Sequence, residues 1–261
     1  MPNSAIITGG ASGLGEACAR RFARDGARVW ILDADAARAE TVAASINGDG
    51  GEARWIETDV TDEAGLMDRA ARVSGETGAP DILVTSAGIL ETVSTVLDAD
   101  MELHDRVWAV NYRGTVSTIR AFGRLMRDAG RGSIVTVGSI NSRVALPLPA
   151  YCPSKTAILR LTEMLSVELG RHGIRVNGVA PTYVVTPAMQ ARIDAGERDP
   201  AVMRAAGALD MLVRPEHVAA VVAFLCSGEA AAITGHMMPV DAAYLPVTTY
   251  AAFAGGVPWK T

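Results

Sequence analysis

The chain has 261 residues, of which 49% are hydrophobic and 20% are charged, and its net charge is −5. This composition supports a large apolar core and excludes a disordered chain. No basic run of five or more residues stands out, so we do not expect nucleic acid as a partner.

The sequence carries no evident targeting or membrane segment. It leads directly into an apolar strand at 5–7, without a basic region or an apolar signal core. No apolar run approaches the roughly 20 residues of a membrane helix. The three cysteines are scattered, which is unlike a disulfide framework or a zinc site. We therefore expect a cytoplasmic protein without a membrane partner and without a metal.

Short apolar runs alternate with longer amphipathic stretches along the chain. The predicted strands are 5–8, 28–33, 54–59, 82–86, 133–139, 175–180 and 237–240. The predicted helices lie near 14–25, 35–46, 62–77, 98–128, 150–171, 187–195 and 215–226. This alternation predicts an α/β single-domain Rossmann fold, a doubly wound parallel sheet of about seven strands with helices on both faces.

Two irregular segments interrupt the alternation. No linker or repeat divides residues 1–261, so we expect a single dinucleotide-binding and catalytic domain. The stretch 182–212 contains several prolines and glycines, and 242–261 is an apolar tail. Long irregular segments of compact domains are commonly lids or contact surfaces. We expect 182–212 to form a substrate flap and the tail to pack on a neighbouring subunit through Tyr244, Leu245, Tyr250, Phe253 and Trp259.

A glycine-rich turn, Thr8-Gly9-Gly10-Ala11-Ser12-Gly13-Leu14-Gly15, follows the first strand and opens the first helix. Glycine permits unusual backbone angles and the close approach of a phosphate. The start of the helix offers unpaired N–H groups and a positive dipole end to a pyrophosphate. The turn therefore predicts a dinucleotide site at Gly9, Ser12, Gly13, Leu14 and Gly15.

A carboxylate ends the second strand, about 20 residues after the turn. Asp33 can accept hydrogen bonds from an adenosine ribose diol and would repel a 2′-phosphate. Ser12 is neutral where a phosphate site would place a cation. We therefore expect NAD in preference to NADP. The alternative is that Asp33 caps the helix that begins at Ala34.

The next two strand ends also carry residues suited to a cofactor. Asp59 and Val60 follow the third strand, where the carboxylate could meet the adenine amino group. Helix capping by neighbouring Thr61 or Asp62 is an equally ordinary use of this polar cluster. Ala87 and Gly88 end the fourth strand, and their small size would let the cofactor lie against the sheet edge.

Tyr151 and Lys155 lie four residues apart, and Ser139 lies twelve residues before the tyrosine. A phenol is a poor acid–base group at neutral pH, because its ordinary pKa is near ~10. A lysine one helical turn away lies on the same face, so we expect its ammonium to lower the tyrosine pKa. The serine hydroxyl can then hold a substrate oxygen.

In these motifs the chain resembles the short-chain dehydrogenase/reductase family, over roughly residues 4 to 241. The resemblance implies a catalytic tetrad of Asn111, Ser139, Tyr151 and Lys155. Tyr151 would be the acid–base, Ser139 would orient the substrate oxygen, and Lys155 would also bind the nicotinamide ribose. Asn111 would kink its helix and hold a water of the proton relay. The resemblance also places Pro181, Val184 and Thr186 beside the nicotinamide.

The resemblance further implies a homotetramer, with helices 98–128 and 150–171 at one contact. An apolar stripe on the second of these helices suits such a contact, although it could equally face the subunit's own sheet. The stripe consists of Ala157, Leu161, Leu165 and Leu169. Three segments depart from the usual family pattern: 85–88 reads Thr-Ser-Ala-Gly, 181–182 reads Pro-Thr, and 241–243 reads Asp-Ala-Ala where the family usually has Asp-Gly-Gly.

The activity predicted from these residues is NAD-dependent interconversion of a small-molecule secondary alcohol and a ketone. The substrate would contact Ser139, Asn141, Tyr151 and Tyr183, with further selection by Arg143, Val144, Leu146 and the methionines of the flap. One alternative is an NADPH-dependent 3-oxoacyl reductase, which Asp33 and Ser12 argue against. Another is a catalytically inactive dinucleotide-sensing protein, which would be expected to lack part of the tetrad.

Overall fold

The structure is a computed structural model that describes residues 4–257. Its strands are β1 (Ser4–Thr8), β2 (Arg28–Asp33), β3 (Glu52–Glu57), β4 (Ile82–Thr85), β5 (Gly132–Val137), β6 (Ile174–Pro181) and β7 (Met237–Val240). They form one 7-stranded sheet in the order β3-β2-β1-β4-β5-β6-β7, and every neighbouring pair is parallel. The predicted α/β Rossmann fold with a doubly wound parallel sheet is confirmed.

The helices connect these strands and cover both faces of the sheet. They are α1 (Gly13–Arg24), α2 (Ala36–Gly48), α3 (Glu63–Thr77), α4 (Met101–Trp108), α5 (Gly114–Ala129), α6 (Tyr151–Gly170), α7 (Pro187–Asp194), α8 (Pro200–Ala205), α9 (Pro215–Cys226) and α10 (Tyr244–Tyr250). In the described part of the chain, none of them has the length and apolar character needed to cross a membrane.

Alternate residues of β1 enter two apolar cores, one on each face of the sheet. Ala5 and Ile7 pack with residues of α1, α2 and α9. Ile6 points the other way and packs with residues of α3 and α5. Because successive side chains of a strand point to opposite faces, a strand covered on both sides is apolar throughout. This is why the apolar runs of the sequence predicted a parallel sheet.

Aspartates begin several of the helices. The side chain of Asp35 accepts a hydrogen bond from the backbone nitrogen of Arg38, and that of Asp62 from the backbone nitrogen of Gly65. Asp100 caps α4 in the same way. These carboxylates satisfy N–H groups that have no partner at the start of a helix. The helices that leave the carboxyl edge of the sheet therefore begin at defined residues.

The predicted helix 98–128 is not continuous. It consists of α4, a π-helical turn at Ala109–Arg113, and α5. The predicted strand 54–59 is also displaced by two residues, because β3 pairs with β2 from Glu52 to Glu57. Asp59 lies beyond the sheet, in the turn before α3.

The two irregular segments contain short helices that were not predicted. The segment 182–212 contains α8 in addition to the predicted α7, and the tail contains α10. In this single chain Tyr250 is 53% exposed and Phe253 is 68% exposed. Trp259 lies outside the described residues. The packing of the tail on a neighbouring subunit therefore stays a prediction.

Candidate active site

The residues predicted to form the site lie at one edge of the sheet, because the carboxyl ends of parallel strands meet there. The chain leaves β1 toward β2 on one side and returns to β4 on the other, which opens a crevice between β1 and β4. The glycine turn follows β1, Asp33 ends β2, Asp59 and Val60 follow β3, Ala87 and Gly88 follow β4, Ser139 and Asn141 follow β5, and Pro181, Tyr183, Val184 and Thr186 end or follow β6.

The backbone of the glycine turn packs directly against the backbone that follows β4 and against itself. Gly9 and Gly13 have φ of 64° and 53°, which other residues rarely adopt. A Cβ on Gly9 would lie 2.7 Å from the Cα of Ala87, and one on Gly15 would collide with the carbonyl oxygen of Gly9. Ser12 precedes α1 without capping it through its side chain, so the first amides of α1 are left for another acceptor. This cradle fits a dinucleotide pyrophosphate.

Asp33 connects the end of β2 with the glycine turn. Its Oδ2 accepts a hydrogen bond from the backbone nitrogen of Ala11 at 2.9 Å, and its Oδ1 accepts one from that of Asp35 at 3.0 Å. The cap of α2 is Asp35, so the alternative that Asp33 caps this helix is wrong. The half-buried Asp33 carboxylate lies beside the cradle, where it suits an adenosine ribose.

Asp59 folds back onto its own turn. Its Oδ1 accepts hydrogen bonds from both the backbone nitrogen and the hydroxyl of Thr61, each at 2.8 Å. Val60 is buried, and a Cβ on Gly114 would lie 2.6 Å from its Cγ2. Asp62 caps α3, as the capping alternative for this cluster proposed. Contact of Asp59 and Val60 with adenine stays a prediction.

Thr186 lies next to the glycine turn. Its methyl carbon would be 3.2 Å from a Cβ on Gly13. Its hydroxyl accepts a hydrogen bond from the backbone nitrogen of Met189 at 3.3 Å and so caps α7. Val184 is buried and forms a parallel bridge with Val213. The bridge thereby ties the start of the flap to the residue that follows the end of the flap, next to the proposed nicotinamide position.

Asn111 occupies the π-helical turn and binds the loop that follows β4. Its Oδ1 accepts from the backbone nitrogen of Ile89 at 2.8 Å, and its Nδ2 donates to the carbonyl oxygen of Ile89 at 3.0 Å. A Cβ on Gly88 would lie 3.3 Å from the same Oδ1. The distortion of the helix at Asn111 agrees with the kink that the family resemblance implied. The water in a proton relay stays a prediction.

Tyr151 and Lys155 project from the first turns of α6 toward the end of β5. Lys155 is 5% exposed, and its Nζ donates a hydrogen bond to the carbonyl oxygen of Val137 at 2.8 Å. The same nitrogen lies 5.5 Å from the centroid of the Tyr151 ring. The structure therefore brings the phenol and the amine together beside Ser139.

The pKa of Tyr151 differs from the prediction. Burial raises the pKa of Tyr151 to about 12, although a hydrogen bond with Ser139 acts in the opposite direction. Burial lowers the pKa of Lys155 to about 8. Removal from water disfavours both the phenolate and the ammonium. The pKa of Tyr151 is thus raised above its ordinary value, where the sequence predicted that it would be lowered.

A cleft of about 920 Å³ opens in front of Tyr151 and Ser139, and Asn141 and Tyr183 also line it as predicted. Its wall is mainly apolar and includes Leu90, Val93, Leu146, Leu148, Met189 and Met203. Charged side chains lie toward the flap, at Arg192, Glu197, Arg198 and Asp199. Arg143 and Val144, predicted to select the substrate, are not part of the lining; Arg143 is exposed.

Asn141 is buried, and its polar atoms are already engaged. Its backbone nitrogen donates to Ser139 Oγ at 3.2 Å, and its Nδ2 donates to Cys152 Sγ at 3.1 Å. Ser139 Oγ lies 3.2 Å from Asn141 Oδ1 and can donate to it. Asn141 thus orients the serine hydroxyl, in addition to lining the cleft.

Two residues of the cleft make contacts that sequence reasoning did not predict. Glu91 accepts hydrogen bonds from the backbone nitrogens of Ala150 and Tyr151. Tyr244 packs edge-to-face on Tyr183, with 6.2 Å between ring centroids. No local pattern marks Glu91, because its partners lie about sixty residues away in the chain. Tyr244 could have been found, since an aromatic residue soon after the last strand ends near the same sheet edge.

A profile of the family described as Enoyl-(Acyl carrier protein) reductase matches residues 9–244, which include the glycines of the turn and all four tetrad residues. "Short-chain dehydrogenase reductase 3c" of Arabidopsis thaliana is 38% identical over 93% of this chain and 94% of that protein. The chain belongs to the short-chain dehydrogenase/reductase family.

Two other relatives within this family carry named activities. The (-)-isopiperitenol/(-)-carveol dehydrogenase of Mentha piperita is 40% identical and covers 91% of both chains. The D-threitol dehydrogenase of Mycolicibacterium smegmatis is 36% identical and covers 92% of both. Family members of this kind act on CH–OH groups with a nicotinamide dinucleotide. The present chain is accordingly an NAD(P)-dependent oxidoreductase that interconverts a secondary alcohol and a ketone.

Solved structures of the family contain either cofactor. A 3-oxoacyl-[acyl-carrier protein] reductase with bound NAD from Brucella melitensis is 32% identical, with a TM-score of 0.82 over 93% of this chain and 91% of that one. ElxO with NADP bound is 26% identical, with a TM-score of 0.88 over 94% and 100% of the two chains. The fold alone therefore does not decide between the two cofactors.

Proposed function

We propose that this dehydrogenase prefers NAD and oxidises a secondary alcohol on an apolar, ring-sized frame. The observation that carries the proposal is the apolar wall of the cleft directly in front of Ser139 and Tyr151. A polyol would leave several hydroxyls unpaired against such a wall, which costs free energy for each buried group. Carveol, in the name of the Mentha relative, is an alcohol of the proposed kind.

The residues of the site divide the chemistry between them. Bound nicotinamide supplies the hydride acceptor. In alcohol oxidation Tyr151 Oη takes the hydroxyl proton, and Ser139 Oγ donates a hydrogen bond to the same substrate oxygen. Since burial outweighs the hydrogen bond from Ser139 and raises the pKa of Tyr151 to about 12, positive charge near the ring has to favour the phenolate. Lys155 is the cation of this chain that is placed to provide it.

The preference for NAD rests on Asp33. Its carboxylate lies beside the glycine cradle and is available to a ribose diol, whereas a 2′-phosphate would meet a negative charge. Ser12 offers no cation that would compensate. The same two residues disfavour the runner-up function, an NADPH-dependent 3-oxoacyl reductase. The 3-oxoacyl reductase function is supported by a solved neighbour, which is a 3-oxoacyl-[acyl-carrier protein] reductase.

A homotetramer in the cytoplasm completes the proposal. Exposed apolar side chains lie on α4 and α6, where Met101, Met164 and Val167 are 59%, 53% and 78% exposed. Exposed apolar patches of this kind favour contact with another copy. By contrast, Leu165 and Leu169 of the predicted stripe pack on the chain's own core. The proposed contact therefore uses the outer faces of α4 and α6.

The test is a panel of substrates assayed with NAD and with NADP. Cyclohexanol derivatives, linear polyols and a 3-hydroxyacyl thioester represent the three substrate classes. We expect the ring alcohols with NAD to give the highest kcat/KM. A higher value for the polyols or for the thioester with NADP contradicts the proposal.

The Tyr151→Phe variant tests the assigned chemistry. Loss of the phenol oxygen should lower kcat by at least about 100-fold, since the proton then has no acceptor. Binding of NADH, followed by its fluorescence, should stay within about threefold of the wild type. Tyr250→Phe on the exposed face of α10 is the matched control. Near-normal turnover of Tyr151→Phe would exclude this residue as the acid–base.

A further inference from the structure

We propose that Glu91 is a positioning residue, which holds the first turn of the catalytic helix and thereby orients Tyr151. Its Oε1 accepts hydrogen bonds from the backbone nitrogens of Ala150 at 2.7 Å and Tyr151 at 2.6 Å. Glu91 lies in the loop after β4, and it is a half-buried part of the cleft wall. The inference rests on the oxidoreductase reaction assigned to Tyr151.

The start of α6 needs an acceptor from elsewhere in the chain. Tyr151 is the first residue of α6, so its backbone N–H has no partner within the helix. The preceding N-cap residue is Ala150, whose methyl side chain accepts no hydrogen bond. Glu91 supplies the missing oxygen from another loop and adds a negative charge at the positive end of the helix.

The hydrogen bonds from Glu91 bear on the orientation of Tyr151 because this acid–base residue is the first residue of α6. Helices fray at their ends, where hydrogen bonds are fewest. Lys155 lies one turn further in, and Val137 holds its amine. Fraying of the first turn would therefore move the phenol away from Ser139 while Lys155 stays in place. An unsatisfied amide at this point would permit that movement.

The loop that carries Glu91 is itself fixed at two further points. Asn111 binds both the N–H and the carbonyl oxygen of Ile89. The backbone nitrogen of Ser94 donates to the carbonyl oxygen of Pro147 at 3.1 Å, just before the catalytic helix. The loop after β4 is thus held by a tetrad residue on one side, and it holds Tyr151 on the other. Glu91 completes this connection.

Three variants at position 91 separate positioning from a general effect on folding. Glu91→Leu removes the acceptor, Glu91→Gln keeps a carbonyl oxygen at the same reach, and Glu91→Asp withdraws the carboxylate by one methylene. We expect Glu91→Leu to lower kcat by roughly 10- to 100-fold, the effect of losing charge-assisted hydrogen bonds. KM and the Kd for NADH should change less than about threefold. Glu91→Gln should recover most of the lost kcat.

Exchange of the backbone amides gives a readout that does not depend on turnover. Hydrogen–deuterium exchange of the peptide 148–156 should be roughly 10-fold faster in Glu91→Leu and near normal in Glu91→Gln. If the wild type turned over none of the alcohols, the assigned activity would fail, and this exchange would still decide the inference. Glu40→Leu, at an exposed glutamate of α2, is the control that should change neither quantity.

Either of two results with the first two variants would overturn the proposal, and Glu91→Asp supplies a third. One is Glu91→Leu with wild-type kcat and unchanged exchange of 148–156. The other is a Glu91→Gln variant as impaired as Glu91→Leu, because the charge and not the hydrogen bonds would then be responsible. If Glu91→Leu is not recovered in folded form, Glu91→Asp takes its place and should lower kcat several-fold; an unchanged kcat in that variant also overturns the proposal.

Discussion

The carboxylate of Asp33 accepts a hydrogen bond from the backbone nitrogen of Ala11, with 2.9 Å between Oδ2 and that nitrogen. One side chain therefore shapes the glycine cradle and also presents a negative charge beside it. To test how Asp33 affects the preference between NAD and NADP, a substitution has to change one of these effects and keep the other. Asparagine removes the charge while its amide oxygen can still accept from Ala11. Its amide nitrogen cannot replace the second oxygen, which accepts from the backbone nitrogen of Asp35.

Asp33→Asn should reduce the discrimination between the two cofactors. We expect the ratio of kcat/KM for NAD to that for NADP to fall by roughly 10-fold, because the repulsion of the 2′-phosphate is lost. The measurement is steady-state kinetics with both cofactors on one alcohol. Asp35→Asn, which alters the cap of α2, should leave the ratio unchanged. An unaltered ratio in Asp33→Asn would mean that other residues select the cofactor.

The rate of alcohol oxidation should rise with pH, whereas ketone reduction should be favoured at lower pH. The raised pKa of Tyr151, about 12, keeps the phenol protonated at neutral pH, and oxidation requires the phenolate. Below the apparent kinetic pKa, kcat/KM for oxidation should increase about tenfold per pH unit. Lys155→Met should move this limb to higher pH, since positive charge near the ring is lost. A profile that is the same in both proteins would contradict the role of Lys155.

Two alanines near the C-terminal end strain the backbone. Ala242 and Ala243 have φ of 51° and 65°, in the left-handed region that favours glycine. Each change to glycine should raise the free energy of unfolding by about 0.5–1 kcal/mol, measured by denaturant titration. Ala251→Gly, at a right-handed position, should instead lower it or leave it unchanged. Destabilisation by both substitutions at 242 and 243 would show that their strain is relieved elsewhere.

Tyr244 should select for bulky substrates within its own subunit. Its ring packs on Tyr183 at the cleft, and Asp241 holds the start of α10 by accepting from the backbone nitrogens of Ala243 and Leu245. Tyr244→Ala should lower kcat/KM for ring alcohols by roughly 10-fold and for 2-propanol much less, because only the larger substrate contacts the ring. Tyr250→Ala is the control, and equal losses for both alcohols would refute the selection.

The prediction was accurate for strands whose ends coincide with a change from apolar to polar residues. The bounds of β2 and β7 agree with the prediction, since a run of apolar residues stops where the strand stops. The tetrad was expected because the resemblance to the family implies it; from the residues alone, helical spacing links only Tyr151 and Lys155. The single-domain prediction for residues 1–261 stays a prediction.

Features that depend on distant contacts could not be read in this way. Glu91 looks like any loop glutamate until α6 is placed against it. The pKa of Tyr151 depends on how much water reaches the ring, which spacing to Lys155 does not reveal. The sequence predicts a continuous helix over 98–128, because the residues of a π-helical turn are of the same types as those of an α-helix and only the hydrogen-bond partners differ.

The wide turn at Ala109–Arg113 separates two helical halves with different neighbours. The N-terminal half, α4, contacts α6, whereas α5 contacts α3. One residue of an α-helix corresponds to about 100° of rotation, so the added residue resets the angular phase between the two halves. Removal of one residue from this turn would therefore rotate the buried face of α4 out of register with that of α5. The position of Asn111 and the correct docking of both halves thus depend on the same local insertion.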